Sequence, residues 1–127
     1  MSDLNLLGGW VSMLGGVLSG SVIGLFFHHD AWMGGYDSLR RRMVRLGHIS
    51  FFGIGFLNIL FGLTVASVPL PASHLFIASW GLIVANLAMP ATCFLTAWRP
   101  LMRHLFPIPV AAAFVAIVSL LLGWRQS

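Results

Sequence analysis

Charge in this chain is confined to the connections between four long apolar runs, and that arrangement restricts the fold more than any motif does. The runs cover approximately residues 6–27, 43–66, 74–98 and 108–124, with no Asp, Glu, Lys or Arg near the middle of any of them. About 20 apolar residues cross the hydrocarbon core of a bilayer as a helix, because in lipid each backbone amide must be bonded within its own segment. At 58% hydrophobic and 8% charged residues, the chain lies far from a soluble domain, where about 25% of residues are charged. The expected fold is all-α: an integral membrane four-helix bundle of up-down topology with short loops, forming a single transmembrane domain over residues 1–127. The last run, at 17 residues (108–124), is at the short end for a crossing.

The connections carry their own signals. Met1-Ser2-Asp3-Leu4-Asn5 has an acid where a signal peptide would have basic residues, so the first run is expected to persist as a span. Gly34-Gly35 marks a turn, and Asp37 or Ser38 is a plausible N-cap for a helix opening at Leu39. Val68-Pro69-Leu70-Pro71 ends the second helix, and Ser73 is the expected cap of the third. Pro90 withholds a donor from the carbonyl of Asn86 and implies a kink or local rearrangement. Arg99-Pro100 to Pro107 reads as an interfacial link.

Basic residues set the expected orientation. Arg40, Arg41, Arg42, Arg45, Arg99 and Arg103 fall on one side and Arg125 on the other. The positive-inside rule then places both arginine-bearing loops in the cytoplasm and both termini outside, in a bacterial-type inner membrane. Trp32, Tyr36 and Trp98 would mark the inner interface, and Trp10 and Trp124 the outer one. Topology and anionic headgroups account for the excess of arginine, so no nucleic-acid partner is expected. The expected partners are the bilayer and a membrane protein or a second copy of the chain.

Gly8, Ser12, Gly16, Gly20 and Gly24 recur every fourth residue and lay a small-residue ridge for close helix packing. Asn58, Asn86, Thr64, Thr92 and Ser79 are polar groups within the spans, expected to bond between helices, with a solute pathway as the alternative. No acid or base lies near the midplane, which argues against a proton-relay pump or voltage sensor. Cys93 is the only cysteine, so neither an intrachain disulfide nor a cysteine-based metal site can form. There is no glutamate and no hydrolase, kinase or metalloprotease motif.

The chemistry concentrates between Phe26 and Asn58. His28 and His29 end the first span, and His48 stands about one turn into the second, so antiparallel neighbours would bring these imidazoles together at similar depth. His104 belongs to the other inner loop and could approach them, whereas His74 lies at the opposite face. Two histidines on adjacent helices can supply the axial nitrogens of haem b: His28 or His29 with His48. Gly24 would admit the macrocycle, Arg40, Arg41, Arg42 and Arg45 would pair its propionates, and Phe26, Phe27, Phe51 and Phe52 would line its faces. His28, His48, His104 and Asp30 could instead hold a divalent metal. Histidines that only meet headgroups are the third possibility. The expected function is a small haem-binding, redox-associated membrane subunit. The alternatives are a structural or assembly subunit without enzymatic activity, and a transporter of a small solute or metal.

Overall fold

A computed structural model describes the whole chain, Met1–Ser127. It is all-α: α1 (Ser2–Phe26), α2 (Leu39–Ser67), α3 (Ala72–Trp98) and α4 (Pro107–Trp124), with short 3-10 segments at Trp32–Gly34 and Pro100–Leu105 and no strand. Four helical segments are long and apolar enough to cross a membrane, the last counted as the 25 residues Pro100–Trp124, which join the 3-10 segment to the 18-residue α4.

Two of the helix starts differ from the sequence reading and one agrees with it. The first helix begins at Ser2. The second begins at Leu39 with Ser38 as its cap, as the sequence indicates, four residues before the apolar run counted from Met43: Ser38 Oγ accepts the Arg41 amide at 3.2 Å and donates to the Met33 carbonyl at 2.6 Å. The first turns therefore carry the arginines, whose long side chains keep charge at the interface while their stems stay apolar. Pro71, in extended conformation, is the boundary residue of α3, so Ser73 falls inside the first turn and caps nothing. Pro90 is buried within an unbroken α3.

The interior is mostly small and polar, with Phe61 and Leu82 among its few large apolar side chains, and the exterior is large and apolar. Ala78, Ala85, Ala97, Ala116, Asn5, Asn58, Ser79 and Thr96 are buried, whereas Leu7, Phe56, Leu87 and Phe114 are exposed. Such a surface suits lipid, where burial of large apolar side chains yields no driving force and small residues allow backbones to approach.

Contacts along the helices set the register. A Cβ on Gly9 would lie 2.5 Å from Ile59 Cγ1 and 2.7 Å from the Gly55 carbonyl, one on Gly16 2.6 Å from the Phe52 ring, and one on Gly20 2.6 Å from His48 Cε1. Numbers rise on α1 as they fall on α2, so the pair is antiparallel. Gly47 meets Cys93 and Phe94 on α3, and Gly81 and Gly123 of α3 and α4 meet Ala116 and His74 respectively. Each helix thus packs antiparallel on its chain neighbour, and α1 and α3 both lean on α2.

The small-residue ridge is real but does not form a single face. A spacing of four overshoots the helical repeat by about 40° per step, so the line drifts around α1. Gly8 faces Ile83 and Asn86 of α3, Ser12, Gly16 and Gly20 face α2, and Gly24 has nothing within 4 Å.

Candidate functional site

Three polar assemblies are built into the bundle, and their wiring differs. The deepest joins three helices. Asn5 Nδ2 donates to Asn58 Oδ1 at 2.8 Å and to the Ser79 carbonyl at 3.2 Å, while Ser79 Oγ donates to Asn5 Oδ1. Asn58 Nδ2 donates to the carbonyls of Ile54 and Leu82 at 3.0 and 3.1 Å. All three side chains are fully buried, and each of their polar atoms has a partner. A closed network of this kind fixes helix rotation and has every side-chain donor already engaged.

The second assembly joins α1 to α2 around His48. His48 Nδ1 lies 3.1 Å from Ser19 Oγ, and Ser19 Oγ donates to the Gly16 carbonyl at 3.1 Å. A hydroxyl has one proton, so with that proton on Gly16 the serine oxygen accepts from His48, and the hydrogen is assigned to Nδ1. Nε2 then carries a lone pair and makes no hydrogen bond within the protein. The ring is held flat against α1 because residue 20 has no side chain, and its other side meets Phe52 edge-on at 5.4 Å.

The same device recurs at the other end of the molecule. His74 Nδ1 lies 3.2 Å from Ser119 Oγ, which donates to the His74 carbonyl. Here the Gln126 amide lies 3.4 Å from Nε2. Both nitrogens of His74 are partnered; one nitrogen of His48 is not.

The third assembly closes the α1–α2 hairpin. Arg41, 2% exposed, donates to the carbonyls of Phe27 and Asp30, and its guanidinium lies 4.3 Å from the Phe27 ring centroid and 5.7 Å from those of Trp32 and Tyr36. It thereby satisfies the carbonyl of Phe27 at the C-terminal end of α1 and that of Asp30 in the connection that follows. Arg45 donates to the Tyr36 carbonyl and stacks on that ring at 4.2 Å. Two of the four arginines expected at haem propionates are thus engaged in the hairpin, while Arg40 and Arg42 are exposed.

The histidines expected to converge stand apart. His28 and His29 are exposed beyond the end of α1, with their rings 4.1 Å from one another. His48 contacts α1 at Ser19 and Gly20, about 12 Å of helix short of His28. The reason is that α2 opens at Leu39, nine residues before His48, whereas counting from the apolar run at Met43 put His48 about one turn in. His104 is exposed in the second 3-10 segment, and Asp30 offers its main-chain carbonyl to Arg41. No three His, Cys, Asp or Glu side chains are grouped closely enough to hold a metal.

Sequence reasoning missed Ser19 and Asn5. Their signal was a hydroxyl beside a glycine in mid-span and an amide just inside the first span, each needing a partner on a facing helix. No family model matches the chain, and no curated protein and no solved structure is matched by it.

Proposed function

We propose that this chain is an integral membrane subunit of a bacterial-type inner membrane, with both termini outside and both arginine-bearing connections in the cytoplasm, and that it binds haem b through His48. The observation that carries the haem reading is the contrast between two imidazoles held by one device: His74 has both nitrogens partnered, and His48 has Nε2 open. An Nδ1–H fixed by a hydrogen bond beside a bare Nε2 is the arrangement of an axial ligand, because the outer bond orients the ring and raises the basicity of the ligating nitrogen. Haem would supply reversible one-electron transfer. The protein's part is to hold the imidazole, to keep α1 smooth at Gly20 and Gly24, and to present Arg42, six residues or about 9 Å along α2, to an acidic edge.

None of the three cavities in the chain is lined by His48, so the macrocycle would lie between this chain and a partner. One axial nitrogen comes from the bundle. We assign the second to a partner subunit, most simply a second copy presenting its own His48, in place of His28 or His29. An oxidised-minus-reduced visible spectrum of protein purified in mild detergent from a haem-replete host tests this. A sharp reduced α-band at one haem per two chains, lost in His48→Ala and kept in His28→Ala and His29→Ala, is the expected result. Retention of the same spectrum in His48→Ala would overturn the assignment.

A structural or assembly subunit is the second reading, favoured by the Asn5–Asn58–Ser79 network, which uses the deepest polar groups entirely for helix packing. A colourless, metal-free and stable bundle assigns the molecule to it.

A further inference from the structure

Between α1 and α3, floored by α2, runs a lateral groove of about 390 Å³ whose walls include Leu7, Gly8, Gly15, Ile83 and Leu87. Asn86 is the polar side chain on its α3 wall, 7% exposed, near the middle of that 27-residue helix. Its Nδ2 donates to the Gly8 carbonyl at 3.0 Å, which fixes the amide orientation, and its Oδ1 is buried without a partner. Pro90 also withholds the usual donor from the main-chain carbonyl of the same residue. Residue 86 therefore carries a buried amide oxygen without a partner beside a main-chain carbonyl that lacks its usual donor, in apolar surroundings where an unmade hydrogen bond is costly.

From Leu4 to Gly15 is about 16 Å of helix, a length along which an extended hydrocarbon chain can lie in the groove. Leu4, Leu7 and Leu87 on the rim are exposed and can change rotamer to admit a polar group beside Asn86.

We propose that this groove binds a neutral chain lipid bearing a hydroxyl, whose O–H donates to Asn86 Oδ1. A charged headgroup is excluded at that depth by its desolvation cost, and a plain acyl chain leaves the acceptor unmet. The assignment stands independently of the haem reading. The test compares dodecanol with dodecane in nanodiscs containing the full chain, reading retention by native mass spectrometry and the Asn86 side-chain amide resonance by NMR. Dodecanol should be retained about five- to tenfold more tightly than dodecane, with a shifted Asn86 resonance, and Asn86→Leu should remove that preference. Val11→Trp, which fills the groove from its rim and leaves Asn86 in place, should expel both probes while the bundle stays folded. Equal retention of alcohol and alkane overturns the proposal, as does a protein dimer that Val11→Trp dissociates while neither probe binds.

Discussion

Asn58 and Thr64 look alike in the sequence, as polar residues of one apolar span, but their bonds give them different weight. The Asn58 amide accepts from Asn5 and donates to the Leu82 carbonyl on another helix, whereas the Thr64 hydroxyl bonds the Leu60 carbonyl of its own helix at 2.7 Å. Asn58→Ala leaves Asn5 Nδ2 short of an acceptor and should cost about 1–2 kcal/mol, while Thr64→Ala should stay within about 0.5 kcal/mol. Unfolding in mixed micelles measures both, and equal losses would show that the three-helix network is not what holds the bundle. The two histidine–serine pairs differ in the same way, by what meets the outer nitrogen.

Among the elements, α1 decides how close the bundle can be. Its contact with α2 is nearly backbone to backbone at Gly9, where a side chain would strike the Gly55 carbonyl, whereas Gly24 faces open space. Gly9→Leu should therefore separate α1 from α2 and cost about 1–3 kcal/mol or more, because main chain cannot move aside as a flexible side chain can. Gly24→Ala should be neutral or gain up to about 1 kcal/mol from helix propensity. Disulfide trapping between cysteines placed on the two helices reports the separation. A Gly24→Ala change as damaging as Gly9→Leu would mean that the register described above is wrong. The two glycines belong to similar small-residue patterns, and only their rotation about the helix axis distinguishes them.

At the scale of the whole molecule, the exterior is apolar around its girth and basic at one end. Six of the seven arginines fall in the α1–α2 and α3–α4 connections or the turns beside them, and Arg125 alone lies at the other end. The orientation we propose, with those connections inward, rests on this bias. Cysteines introduced at Ser2 and Ser127 should label from outside intact cells with a membrane-impermeant maleimide, and one at Asp37 should label only after lysis. Cys93 is buried and gives little background. The opposite pattern would invert the topology and place His48 nearer the outer face.

Four spans, their order and most of their ends were legible in the sequence, because a span is a local property: enough apolar residues in a row, stopped by Pro69 and Pro71 or opened by Ser38. Partners across helices were not. A helix in lipid is apolar on every side, so no hydrophobic stripe indicates which face turns inward, and small shifts of register change which groups meet. His48 was recognisable as the deepest histidine, but its pairing with Ser19 instead of the level of His28 follows from where α2 starts and from the absence of a side chain at Gly20. The same holds for Asn86. Its sequence position beside Pro90 marked an unmet carbonyl, but the lean of α1 and α3 on α2 formed the groove and left the amide oxygen without a partner.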